Sequence, residues 1–136
     1  MNAVLDPFAE AVGRVVIAGR RLDGAIGVLT AYALGDRSGR VMPGTLESLL
    51  RWWGDYIGHV TEPAVRTRHQ AAHDTAVELG RRRDDTINAL GRIAVTELAV
   101  LELRDLALAT DAHVEVVLDL ADQVRDSGWS DSRQHA

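Results

Sequence analysis

Residues 8–32, FAEAVGRVVIAGRRLDGAIGVLTAY, decide the fold class, because apolar side chains recur through them at alternating steps of three and four. This spacing places one apolar stripe along a single face of an α-helix. The stripe consists of Phe8, Ala11, Val15, Ala18, Leu22, Ala25, Leu29 and Tyr32. Asp6 and Pro7 suit the start of a helix, and Gly35 suits its end. We therefore predict a long, amphipathic first helix.

Small residues on this helix predict a close contact. Gly24, Gly27 and Ala31 lie near one another on one side, and each interior glycine costs about 1 kcal/mol relative to alanine. We expect the missing side chains to be compensated by the close approach of another helix.

The next two helices follow from capping residues. Thr45 is predicted to cap a second helix that runs to Val60, and Pro63 then suits the first turn of a third. Gly80 is predicted to end the third helix. A single long helix that continues through Gly80 is the alternative.

The C-terminal half is predicted to contain two further helices. Asp84 is a candidate cap for a fourth helix, in which apolar residues cover most of the circumference between positions 87 and 108. Thr110 and Asp111 are predicted to begin a last helix that ends near Asp126. The polar residues 127–136 lack a helical period and are predicted to form a flexible tail.

These elements predict an all-α protein, an antiparallel bundle of four or five helices within residues 1–126. A length of 136 residues and a hydrophobic content of 46% suit a single domain with one core. A helix that is apolar nearly all round needs neighbours on every side. Together with Trp52 and Tyr56 beside the stripe of the second helix, it predicts a homodimer.

Composition excludes several classes of site. The chain has no cysteine, which rules out disulfides, thiolate zinc sites and thiol nucleophiles. Its net charge of −5 argues against direct nucleic-acid binding. Neither a signal peptide nor a membrane-spanning run is recognisable, so we expect a cytoplasmic protein that does not enter a membrane.

Two histidines form a candidate metal site. His69 and His73 are four residues apart, which places both imidazoles on one face of a helix. One metal ion bound there would need further ligands. The candidates for these are Asp74, Glu78, Glu97, Glu102 and His113. The alternative is that the histidines are structural. We expect no cofactor.

Arg68 and His73 form a second candidate site. Their five-residue separation is similar to the Arg-x(4 to 6)-His signature of the HEPN family of small helical RNases. The resemblance implies a metal-independent RNase in which Arg and His from two protomers converge on an RNA phosphate. A histidine can exchange protons at neutral pH, and an arginine can stabilise the phosphorane charge. Asp74 departs from this pattern, because it adds negative charge beside the histidine.

An acidic stripe marks the last predicted helix. Its members, at steps of four, four, three and four, are Asp111, Glu115, Asp119, Asp122 and Asp126. The stripe is typical of a solvated face, and it would also suit a protein partner with a basic surface. No complete catalytic constellation is present. The sequence therefore predicts a non-enzymatic oligomerisation or protein-interaction module, with the RNase and metal-binding interpretations as alternatives.

Overall fold

A computed structural model describes the backbone of residues 5–36, 38, 40–92 and 94–135, with side chains described from residue 6 to residue 127 of these ranges. It contains four helices: α1 Leu5–Ala33, α2 Leu46–His59, α3 Pro63–Ala89 and α4 Glu97–His135. The described residues include no strand. The predicted all-α class is confirmed, and the four helices of the described residues fall within the predicted number of four or five.

The predicted stripe of α1 faces the core. Its members Ala11, Val15, Ala18, Leu22, Ala25 and Leu29 are all buried. The helix ends as predicted at Gly35, which adopts a positive φ of 89°. The amide of Gly35 donates to the carbonyl of Tyr32, and the amide of Asp36 donates to that of Ala31. These bonds satisfy carbonyls that the last turn of a helix leaves free.

The segment that follows α1 turns back and runs along α1 before α2 begins. The amide of Met42 donates to the carbonyl of Gly27 at 3.2 Å, two turns before the end of α1. Thr45 then caps α2 as predicted, because its Oγ1 accepts from the amide of Ser48 at 3.1 Å. As a result α2 runs in the same direction as α1. The prediction that all neighbouring helices are antiparallel is therefore wrong for this pair.

Helix α3 continues through Gly80, so the predicted break at this residue is wrong. A Cβ at Gly80 would lie only 2.6 Å from Cδ2 of Leu46 in the first turn of α2. The glycine thus allows close packing of two helices instead of ending one. Asp84, the predicted cap, lies inside α3, which ends at Ala89.

Helix α4 is one element where two were predicted. It begins at Glu97, after Thr96, whose Oγ1 accepts from the amide of Ala99 at 3.1 Å. The prediction that a new helix starts at Thr110 is wrong, because the Thr110 hydroxyl donates to the carbonyl of Leu106 within an unbroken helix. The backbone of α4 also continues beyond Asp126 to His135. The flexibility of residues 127–136 stays a prediction.

Contacts along their length show that α1 and α4 are parallel. Arg21 pairs with Asp111 at 2.6 Å, and further along both helices the Arg125 guanidinium lies 5.8 Å from the ring centre of Tyr32. Helix α3 is antiparallel to α4, since its last turns line a groove with the first turns of α4. Three helices therefore point one way and α3 points the other.

The core lies where all four helices meet. Its largest fully buried side chains are Trp53, Leu22, Ile26, Leu29, Leu49, His69 and Val117. In the part of the chain that the structure describes, no helix has the length and apolar character needed to span a bilayer.

Candidate functional site

Four aromatic rings from α2 and α3 pack together between these two helices. Trp53 contributes a fully buried indole from the apolar stripe of α2. Its ring centre lies 6.3 Å from that of His69 and 5.3 Å from that of His73, both in edge-to-face orientation. Tyr56, one turn beyond Trp53, packs edge-to-face on His69 at 5.6 Å. We refer to Trp53, Tyr56, His69 and His73 as the ring cluster.

A hydrogen bond sets the protonation state of His69. The Trp53 Nε1–H donates to His69 Nδ1 at 3.1 Å, and an indole nitrogen is only ever a donor. His69 is therefore the neutral tautomer with its proton on Nε2. Burial lowers the pKa of His69 below its usual value, and the positive charge of the neighbouring Arg68 lowers this pKa further.

His73 and His113 are each bound to a helix backbone. His73 Nε2 donates to the carbonyl of Leu50 in α2 at 2.8 Å, while its Nδ1 is buried with no hydrogen-bond partner. His113 Nε2 in α4 donates to the carbonyl of Ala72 in α3 at 2.8 Å. Burial lowers the pKa of His113, and this hydrogen bond opposes that effect. All three histidines thus link neighbouring helices.

The structure does not assemble a metal site around His69 and His73. Each ring already uses one nitrogen in a hydrogen bond to α2. Asp74 accepts from Gln70, and Glu78 pairs with Arg81. No group of three or more metal-ligating side chains lies together among the residues whose side chains are described.

The other proposed ligands do not converge on these histidines. Glu97 and Glu102 are exposed near the start of α4, away from the two histidines. His113 contacts the α3 backbone instead. Metal binding stays a prediction.

Arg68 and His73 point to different surroundings. Arg68 is exposed and lines a groove with Glu62 at the start of α3 and Asp126 of α4. His73 instead packs against α2. The two side chains do not converge within one chain, and the carboxylates beside Arg68 oppose an RNA phosphate. The RNase interpretation stays a prediction.

The acidic stripe is partly neutralised within the chain. Arg21 of α1 lies 2.6 Å from Asp111 and 3.8 Å from Glu115. On α4 itself, Arg125 lies 3.6 Å from Asp122 and 3.2 Å from Asp126. Asp119, the remaining member, is exposed. The stripe therefore helps to join α1 to α4 in addition to facing solvent.

Trp52 and Tyr56 line one groove, and their contact with a partner stays a prediction. The groove lies between the end of α1 and α2. Trp52 is 51% exposed and Leu34 on the opposite wall is 55% exposed. His59 and Asp55 contribute its polar side.

Exposed apolar side chains of α1 and α4 form a common face. The sequence predicted only part of it. Ile17, Leu101 and Leu108 are exposed by 62%, 55% and 65%. Ile17 lies one turn before Arg21, and Leu108 lies one turn before Asp111, the residue that Arg21 contacts. Because α1 and α4 are parallel, these side chains lie on the same side of the helix pair. We call Ile17, Leu101 and Leu108 the α1–α4 apolar face.

Apolar residues cover most of the helix circumference at positions 87–108, and this pattern indicated that Leu101 and Leu108 would need a partner surface. Sequence reasoning missed Ile17, which lies off the stripe of α1. The sequence feature that could have indicated its exposure is a large β-branched residue outside the buried stripe.

No protein-family model matches the chain, and neither does any curated protein or solved structure. Its site must therefore be interpreted from the geometry of its own side chains.

Proposed function

We propose that the protein is a helical module that works by associating with a second copy of itself. The observation that carries the proposal is the α1–α4 apolar face. Large apolar side chains that are more than half exposed and grouped on one side mark interaction surfaces on otherwise folded proteins. Removing each of them from water would contribute about 1–2 kcal/mol to association.

The charges around this face favour a second copy as the partner. On α1 its exposed arginines are Arg20, together with Arg14, which pairs with Glu10, and Arg21, which pairs with Asp111 and Glu115 of α4. On α4 its exposed carboxylates include Asp105 and Asp119. A face with Arg20 on α1 and with Asp105 and Asp119 on α4 is complementary to its own rotated copy. A partner of a single sign would be repelled by one of these two sets of charges.

Symmetry specifies the arrangement. A twofold axis parallel to the helices places α1 of one copy opposite α4 of the other. This rotation brings Arg20 of each copy toward the α4 carboxylates of the other, and it places the apolar side chains between them. An axis perpendicular to the helices would instead set α1 against α1 and α4 against α4, with like charges facing. We propose the first arrangement.

Replacing Leu101 and Leu108 together with glutamate is expected to convert a dimer into a monomer. Both side chains are mostly exposed, so the fold should tolerate the change, whereas an interface would have to bury two unpaired carboxylates. Sedimentation equilibrium at micromolar protein should show a dimer for the wild type. The double variant should show a dissociation constant raised by at least about 100-fold.

Val77→Glu is the matched control. Val77 is 46% exposed on α3, away from the proposed face, and its replacement should leave the dimer intact. A wild-type protein that stays monomeric at micromolar concentration contradicts self-association. A dimer that survives in the double Leu101, Leu108 variant shows that another surface joins the copies.

The acidic stripe and the Trp52 groove stay predictions as sites for a different protein. Arg21 and Arg125 already pair with most of the stripe, which leaves less negative charge for a basic partner. The groove exposes Trp52, an aromatic side chain of a kind that is enriched in interfaces.

A further inference from the structure

The contact between α2 and α3 includes hydrogen bonds made by two histidines of α3. Trp53 of α2 packs against His69 and His73 of α3, and it donates its only polar hydrogen to His69. His73 returns a hydrogen bond to the α2 backbone at Leu50. Leu46 in the first turn of α2 also packs against Gly80 of α3.

Several ionisable groups surround His69. From α2, Tyr56 contributes a neutral phenol ring. Arg68 on α3 adds positive charge beside the imidazole, while Glu62 before α3 and Asp126 of α4 line the same groove. Both carboxylates are exposed, so solvent screens them. Burial and Arg68 therefore dominate, and both favour the neutral ring.

We propose that the hydrogen bond from Trp53 to His69 is an acid-sensitive latch, which holds α2 against α3 at neutral pH and releases α2 when His69 takes up a proton. A protonated imidazole carries N–H groups at both nitrogens and has no acceptor left. His69 Nδ1 would then face the Trp53 Nε1–H donor to donor. The inference does not depend on self-association, because the ring cluster lies apart from the α1–α4 apolar face.

Proton linkage gives the direction and size of the effect. When α2 detaches, His69 becomes solvated and recovers its usual pKa of about 6.5. In the latched state the His69 ring stays neutral to a lower pH than in the open state. The open state therefore binds more protons than the latched state, and its population rises as the pH falls below about 6.5. If the latched ring stays neutral at pH 5, the open population rises by about 30-fold relative to neutral pH.

Amide hydrogen exchange of the full chain tests the latch. Opening of α2 is compared at about pH 7.5 and about pH 5, after correction for the intrinsic exchange rate. In the wild type we expect α2 amides to open about 10- to 30-fold more often at the lower pH. Amides of α1 and of the middle of α4 should change much less.

His69→Gln is the decisive variant. Its side-chain oxygen can accept from Trp53 at every pH and does not titrate, so the acid-induced opening of α2 should disappear. His59→Gln, an exposed change in the last turn of α2, should leave the opening as in the wild type. Equal acid-induced opening in wild type and His69→Gln would overturn the latch.

A measurement on the wild type keeps the proposal testable should His69→Gln fail to fold. The ring nitrogens of His69 can be followed by NMR through the same pH range. The latch requires the tautomer protonated at Nε2 at neutral pH, and α2 exchange that rises as the ring becomes charged. A ring that titrates near its ordinary value while α2 exchange stays constant would refute it.

Discussion

Replacing Trp53 with alanine is expected to lower the free energy of unfolding by about 3–5 kcal/mol, as for other fully buried aromatic residues. Trp53 is 0% exposed and contacts both His69 and His73. Its removal leaves a cavity between helices and deprives His69 Nδ1 of its donor. Urea unfolding followed by circular dichroism would measure the loss.

Trp52→Ala provides a control of the same chemistry at the adjacent position. Trp52 is 51% exposed, so its truncation is expected to cost about 1 kcal/mol or less. The informative quantity is the ratio between the losses in free energy of unfolding of the two variants. Equal destabilisation by both would contradict the orientation of α2, because that orientation directs one indole to the core and the other to solvent.

Replacing Gly27 with alanine is expected to destabilise the protein by about 1–3 kcal/mol, although alanine normally favours a helix. A Cβ at this position would lie 2.6 Å from Cγ1 of Val41 and 2.8 Å from the carbonyl oxygen of Met42. The carbonyl belongs to the backbone and cannot rotate aside. The returning connection would have to move away from α1, and the hydrogen bond from the Met42 amide would weaken.

Gly24→Ala is expected to stabilise the protein, in contrast to Gly27→Ala. A Cβ at Gly24 meets no atom within 4 Å, so the variant should gain about 0.5–1 kcal/mol from helix propensity alone. The pair of variants can be compared by thermal unfolding. A stabilising Gly27→Ala would show that the connection does not pack against α1.

Much of the helical pattern could be predicted because its signals are local. The stripe of α1, the turn at Gly35 and the cap at Thr45 each depend on residues within a few positions of one another. Gly80 shows where local signals fail. A glycine that ends a helix and a glycine that admits Leu46 from another helix look the same in one sequence.

The sequence predicted that the two histidines of the candidate site lie together, but it did not predict which groups they bind. The four-residue spacing placed His69 and His73 on one face of α3, and both do contact α2. Whether such a face binds a metal or packs against an indole depends on what the opposite helix offers. That information lies at Trp53, 16 residues from His69, and no periodic signal connects the two.

The sequence by itself determined that the chain is helical and which stripe of α1 is buried, because a 3.6-residue repeat and end caps act within one element. The directions of the helices, the partners of the histidines and the exposure of Ile17, Leu101 and Leu108 were decided only by the tertiary structure. The physical reason is that apolar side chains lose water equally well against any neighbour. Only the packing of all four helices selects which neighbour that is and which side chains remain uncovered.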